Sequence, residues 1–125
     1  MRMEDTYRSP SAIELTLLKK LLERDFPGRD NLLRRLDGLS VKTLDEEGSL
    51  SIRVDPLAPS AEVKSRVVSE AYYCDEGDGI PREGARVNVL LHVVKGNLTE
   101  IEIYKDDGSP IEKGSSAEGL TLIGH

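Results

Sequence analysis

The chain has 125 residues, which is typical of one domain, and only 4% of them are aromatic. Its core must therefore be built from Leu, Ile and Val, and a ligand pocket walled by aromatic rings is not expected. The net charge of -6 repels nucleic acid at long range, so the sequence predicts no nucleic-acid partner.

The first predicted element is a helix from about residue 11 to residue 26. Ser9 or Ser11 can accept hydrogen bonds from its first N–H groups, and Pro10 suits the first helical position. Its leucines and Ile13 cover more of the circumference than the usual apolar stripe. Either the sheet and a second helix together cover this surface, or a partner chain does.

A short second helix follows, with Asp30 as its predicted cap and Gly38 at its end. Beyond it, apolar residues alternate with a period of two, which is typical of a β-hairpin. Pairing Val41 with Ile52 places the apolar side chains on one face and leaves the loop from Asp45 to Gly48.

Three further strands are predicted, beginning with residues 66–73. The apolar segment ARVNVLLHVV is the next strand, and a turn at residues 95–97 joins it to the last strand. The fold class is therefore α+β, with an N-terminal helix and a short second helix packed on one face of an antiparallel sheet of about five strands. We expect residues 1–125 to form a single domain in which 1–10 and 113–125 are loosely ordered.

The last hairpin has two faces of different chemistry. Pairing His92 with Glu100 and Asn88 with Tyr104 makes the odd-numbered positions an apolar face for the helix. The even face then mixes polar side chains with apolar ones such as Leu98. The candidate ligand- or partner-binding residues on this face are His92, Glu100, Glu102, Tyr104 and Asn88.

His92 opposite Glu100 is open to two interpretations. The pair could transfer a proton or form half of a metal site, or it could be an ordinary cross-strand contact, which the sequence favours. His125 is the only other histidine and lies far along the chain, so we expect neither a metal nor a cofactor.

The loop CDEGDG offers no stronger site. Asp75, Glu76 and Asp78 could gather around calcium, but glycines occupy positions where a calcium loop needs ligands. Cys74 is the only cysteine, which excludes an intrachain disulfide, and its acidic neighbours disfavour the thiolate. No motif of nucleophilic catalysis or phosphate binding occurs, so the sequence favours a non-catalytic protein.

The start of the chain is too charged for a signal peptide, and no apolar run is long enough to span a membrane. We therefore expect a cytoplasmic protein that has no membrane partner. The single cysteine agrees with a reducing compartment.

Residues 26–112 contain the segments FPGRDNLLRRLDGLSVKTLDEEGSL, DEGDGIP and VNVLLHVVKGNLTEIEIYKDDGSPI. Together they resemble a family of small uncharacterised bacterial proteins that share an apolar strand, a glycine-containing turn, an acidic strand and a DGxPI tail. The hairpin pattern of the resemblance is LLHVVxGxLxEIEIYxxDGxPI. It implies a bacterial, cytoplasmic α+β domain of unknown function, and it supplies no catalytic or ligand residues.

Three functions are open on the sequence. The first is an interaction or regulatory protein that masks a basic partner with its acidic surface, as toxin-neutralising immunity proteins do. The second is a small-molecule binder or enzyme that uses the even face of the sheet, and the third is a homodimer in which two such faces pack together. The negative charge and the absence of catalytic motifs favour the first.

Overall fold

The computed structural model describes residues 6–54, 66–75, 86–115 and 117–123. Within them, α1 spans Ala12–Leu21 and α2 spans Arg29–Arg34. The strands are β1 (Ser40–Thr43), β2 (Leu50–Arg53), β3 (Val67–Cys74), β4 (Arg86–Val94), β5 (Asn97–Lys105) and β6 (Thr121–Leu122). The predicted α+β class is confirmed, and β6 adds a strand that the sequence did not predict. Neither helix of the described part of the chain is long and apolar enough to cross a membrane.

All the strands belong to one antiparallel sheet with the order β1-β2-β5-β4-β3-β6. The β4–β5 hairpin therefore lies at the centre of the sheet. In the first hairpin, Val41 pairs with Ile52 and the Leu44 N–H donates to the Ser49 carbonyl at 2.8 Å. The predicted register and the predicted loop from Asp45 to Gly48 are both confirmed.

One face of the sheet packs against the helices and forms the core. Leu18 and Leu22 of the α1 region, Leu32 of α2, and Val89 and Leu91 of β4 are all completely buried. Burying one such side chain contributes roughly 1.5 to 3 kcal/mol, so this aliphatic cluster supplies the main driving force for folding. A core of Leu, Ile and Val was expected from the low aromatic content.

The start of α1 is fixed by a capping box. Ser11 Oγ accepts from the Glu14 N–H at 3.1 Å, and Glu14 Oε1 accepts from the Ser11 N–H at 2.8 Å. Pro10 thus precedes the cap, and the prediction that it occupies the first helical position is wrong. Glu14 also pairs with the Arg8 guanidinium at 2.6 and 2.9 Å, and this hydrogen bonding holds the pKa of Glu14 below its usual range.

Both helices differ from their predicted limits. α1 ends at Leu21 instead of near residue 26, and Phe26, which follows the helix, packs on the core. Gly28 precedes α2 with a φ of 92°, a conformation that favours glycine, so the prediction that Asp30 is the cap is wrong. Asp30 instead lies in the first turn, where a carboxylate favours the helix dipole.

The β4–β5 hairpin keeps the predicted register only as far as His92. Asn88 faces Tyr104 and His92 faces Glu100, but beyond a bulge Val93 faces Leu98. The turn consists of Lys95 and Gly96, with φ values of 52° and 76°. Two-residue hairpin turns of type I′ require positive φ at both positions, so the predicted turn of three residues is wrong.

The bulge changes the side of the sheet that Leu98 faces. Thr99 is the extra residue between the Val93–Leu98 pair and the His92–Glu100 pair. Leu98 is therefore turned to the core and is 1% exposed, whereas the sequence placed it on the even face. In the sequence Leu98 lies three residues before Ile101, so the alternation breaks there; without a bulge this break places Leu98 on the even face, which explains the error.

A buried ion pair closes the end of the sheet where β5 finishes. Lys105 Nζ lies 3.0 Å from Asp75 Oδ1, and the two side chains are 2% and 0% exposed. Asp75 also accepts from the Glu112 N–H, and the Tyr73 hydroxyl donates to the Lys113 carbonyl at 2.7 Å. These contacts attach residues 112–113 to the sheet. The other acidic residues of the CDEGDG loop, Glu76 and Asp78, lie outside the described residues.

Burial raises the pKa of Asp75, but the Glu112 N–H and the Lys105 ammonium lower it by more, and the net pKa lies below its usual range. Burial also raises the pKa of the Tyr73 phenol. Asp75 is therefore held as a carboxylate, and Tyr73 stays protonated as a hydrogen-bond donor.

Breaking the Asp75–Lys105 pair should destabilise the fold more than replacing both residues. We expect Lys105→Met to lower the free energy of unfolding by about 3 to 5 kcal/mol, because it leaves the Asp75 charge buried without a partner. The double variant Asp75→Leu/Lys105→Met should lose less, since it buries no charge. Urea unfolding at neutral pH measures both, and a single variant as stable as the double one would contradict this account.

Acid titration tests the same pair independently. The folded pKa of Asp75 lies below its ordinary value of 3.8, so the stabilisation is complete above about pH 4 and is lost as the pH falls through the folded pKa. As the pH falls through that range, the unfolding free energy of the wild-type chain should decrease more than that of the double variant. A difference that does not change with pH would contradict the assignment.

Candidate functional site

The face of the sheet opposite the helices carries all five candidate residues, and we call it the outer face. Residues that pair directly across strands share a face, so the register assigns each position. The polar and aromatic members of the outer face on β1 to β5 include Ser40, Lys42, Ser51, Arg53, Glu70, Tyr72, Arg86, Asn88, His92, Glu100, Glu102 and Tyr104.

One row of the outer face crosses four neighbouring strands. Lys42 of β1 faces Ser51 of β2, Ser51 faces Glu100 of β5, and Glu100 faces His92 of β4. A cation, a hydroxyl, a carboxylate and an imidazole thus follow one another at the interstrand spacing of about 4.8 Å. The predicted opposition of His92 and Glu100 is confirmed for the backbone.

The His92 side chain, however, bonds to Glu102 rather than to the opposite Glu100. Its Nε2 lies 2.9 Å from Glu102 Oε1, a diagonal contact in which the side chains are 25% and 43% exposed. Diagonal neighbours on adjacent strands are within reach of long side chains. No hydrogen bond or ion pair joins Glu100 to another described residue.

Of the other two candidates, the side chain of Asn88 forms a hydrogen bond and that of Tyr104 forms none with the described residues. Asn88 Nδ2 donates to Asp106 Oδ1 at 2.6 Å, which turns this amide away from His92 and towards the end of the strand. The hydroxyl of Tyr104 has no hydrogen-bond partner within the described ranges, and 44% of the residue is exposed. Two of the five candidates, Glu100 and Tyr104, therefore present unengaged functional groups.

The chemistry open to this group is limited. His92 and Glu102 form a unit that can hold or move a proton, but no described hydroxyl or thiol forms a hydrogen bond with the imidazole ring. No group of three or more His, Cys, Asp or Glu residues could hold a metal ion within the described part of the chain. The geometry suits surface contacts better than covalent catalysis.

Tyr7 is a member of the outer face that the sequence did not reveal. Its ring lies 4.0 Å from Arg53 Cζ and 5.1 Å from Lys42 Nζ, measured to the ring centroid, and its hydroxyl lies 2.6 Å from Ser51 Oγ. The neighbouring Arg8 pairs with Val41 through two backbone hydrogen bonds of 2.8 Å. This pairing over a long sequence separation brings Tyr7 to the sheet, and no local pattern signals it.

A depression of about 260 Å³ lies elsewhere on the molecule. Its lining residues are Ala12, Ile13, Thr16, Ala117 and Glu118. Ile13 is 63% exposed, so the wide apolar surface predicted for α1 is only partly covered by the described chain. None of the five candidate residues lines this depression.

A pair of double-mutant cycles tests the diagonal contact. With His92→Gln and Glu102→Gln, we expect a coupling free energy of about 0.2 to 1 kcal/mol from urea unfolding at neutral pH. The matched cycle with Glu100→Gln should give a coupling near zero, although Glu100 is the residue directly opposite. A larger coupling to Glu100 than to Glu102 would contradict the geometry.

Comparison with known proteins identifies the family. A family model described as a domain of unknown function (DUF6984) matches residues 7–114, which include both helices and β1 to β5. No curated protein and no solved structure matches the chain. The resemblance to a family of unknown function is thus supported, while its hairpin pattern and bacterial source stay predictions. The chain belongs to the DUF6984 family.

Proposed function

We propose that this domain is a non-catalytic interaction module that binds a protein partner on its outer face. The proposal rests on Tyr104, an exposed aromatic side chain that shares one face of β5 with the unengaged carboxylate of Glu100. Glu102 lies between them on the same face. The three side chains point from a central strand, where a partner would contact them together.

The exposure of Tyr104 supports this choice of surface. Four large apolar residues are exposed within the described ranges, and the only aromatic one is Tyr104. Tyrosine is enriched in the energetically dominant positions of protein interfaces, since it buries a large area while few torsion angles become fixed. The protein has only five aromatic residues, and one of them, Tyr104, is exposed to solvent on this face. A bound partner would bury it.

The charge of the site favours a protein that carries basic groups. Glu100 and Glu102 add to a net charge of -6, which attracts a basic partner at long range and raises its association rate. Glu102 is engaged by His92, whereas Glu100 is available to pair with an incoming cation.

The site is also held rigidly. β4 pairs with β5 at both Glu100 and Tyr104, and β2 pairs with β5 on the other side at Glu100, so the backbone of this strand has little freedom. A rigid site loses less conformational entropy on binding. A regulatory module that masks a partner's surface requires a rigid binding surface of this kind and no catalytic group.

The alternative function, a small-molecule binder or an enzyme, has narrower support. It requires His92, Glu100, Glu102 and Tyr104 to act on one bound molecule. The His92–Glu102 hydrogen bond is the one described contact that favours it. Tyr104 and Glu100 make no hydrogen bond to this pair within the described chain.

Affinity capture tests the proposal. The tagged domain is incubated with an extract of the cells that produce it, and bound proteins are quantified by mass spectrometry. We expect Tyr104→Ala/Glu100→Gln to lower recovery of a specific partner at least about tenfold, since interface positions of this kind contribute 2 kcal/mol or more.

The matched control is Ile13→Ala/Glu47→Gln, which removes an exposed apolar group and an exposed carboxylate away from the outer face. This variant should recover the partner as the wild-type chain does. Equal recovery of every protein by both variants would contradict the proposal.

A further inference from the structure

The basic half of the outer face has two cations, Lys42 and Arg53, that pair with no carboxylate among the described residues. Lys42 lies on β1 and Arg53 lies on β2. The chain carries 23 acidic residues, so a lack of carboxylates does not explain this. Both cations instead contact the ring of Tyr7.

Tyr7 orients these two cations. Its hydroxyl is bonded to Ser51 at 2.6 Å, and the Arg8 backbone beside it is paired with Val41. The Arg53 carbon Cζ lies over the ring, 4.0 Å from its centroid. A cation–π contact does not use the N–H groups of a guanidinium as hydrogen-bond donors to oxygen, so they remain able to donate to a carboxylate.

The acidic half of the outer face consists of Glu100 and Glu102, and Glu100 lies in the same cross-strand row as Lys42. Lys42, Ser51 and Glu100 lie on β1, β2 and β5, so two interstrand spacings, about 10 Å, separate the Cα atoms of Lys42 and Glu100, and no ion pair joins their side chains. Ser51 lies between them and its hydroxyl is bonded to Tyr7. Lys42 and Glu100 therefore do not neutralise each other, and both charges are available to a partner.

We propose that the partner bound on the outer face presents a segment of mixed charge. Its carboxylate binds the cations of Lys42 and Arg53, and its cation binds Glu100, which lies two strands away from Lys42. This inference rests on the proposed function, because it assumes that the outer face is the binding surface. A uniformly basic partner would place its cations against Lys42 and Arg53, and that repulsion would reject it.

Two short peptides probe the halves of the surface separately. Ac-Thr-Glu-Thr-Glu-Thr-NH2 and Ac-Thr-Lys-Thr-Lys-Thr-NH2 are titrated into the ¹⁵N-labelled full chain, and amide shifts are followed by NMR. The acidic peptide should shift the amides of Lys42, Ser51 and Arg53. The basic peptide should shift those of Glu100 and Glu102.

Lys42→Gln/Arg53→Gln should weaken the acidic peptide roughly tenfold and leave the basic peptide unchanged. The control Lys19→Gln/Lys95→Gln removes the same charge from two exposed positions and should bind both peptides as the wild-type chain does. The inference is overturned if the acidic peptide leaves residues 42 and 53 unshifted, or if both double variants weaken it equally. The spectra also report whether each variant is folded.

The same variants separate this inference from the proposed function in the capture experiment. Loss of the partner with both Tyr104→Ala/Glu100→Gln and Lys42→Gln/Arg53→Gln supports a mixed-charge contact. Loss with the Tyr104 and Glu100 variant alone overturns the mixed-charge contact and leaves the outer face as the binding surface. Loss with neither overturns both.

Discussion

The pairing of β4 with β5 determines which side chains the whole sheet presents to each side. A slip of one residue in an antiparallel pair would exchange the core face for the outer face. Here the pairing of Leu91 with Ile101 and of Val89 with Ile103 fixes the apolar side, and the helices cover that side. The polar side chains of the outer face are consequences of the same register. Thr99 forms the bulge that returns Leu98 to the core without shifting the rest.

Polar contacts attach the neighbouring elements to this hairpin. The buried Arg35, which follows α2, donates to the carbonyl of Gly96 at 2.6 Å and to Asn97 Oδ1 at 2.8 Å. Ser49 Oγ accepts from the Ile103 N–H at 2.8 Å and so holds the first hairpin against β5. Buried hydrogen bonds of this kind specify one arrangement because a broken one leaves a polar group unsatisfied. The outer face is therefore mounted on a backbone that is fixed from both sides.

Period-two alternation was enough to predict the first five strands, the first hairpin and the faces of His92, Glu100 and Tyr104. It did not predict the bulge, because the three-residue step from Leu98 to Ile101 fits either a bulge at Thr99 or an outward-facing Leu98. Contacts between residues far apart in sequence were beyond any local pattern, and they include Tyr7 with Arg53 and the buried pair of Asp75 with Lys105. The candidate site was thus predicted by position, while its basic half and the His92–Glu102 contact required side-chain geometry.

The interaction role that we propose for the outer face rests on side chains that form no hydrogen bond or ion pair with other described groups and that the sheet holds in place. Site-specific photo-crosslinking in the producing cells tests this most directly, with a benzophenone amino acid incorporated at position 104 or, as the control, at position 13. Both positions are exposed, and Ile13 lies on α1, away from the outer face. We expect one defined crosslinked protein from position 104 and none of that species from position 13. The same crosslinks from both positions, or none from position 104, would contradict the account.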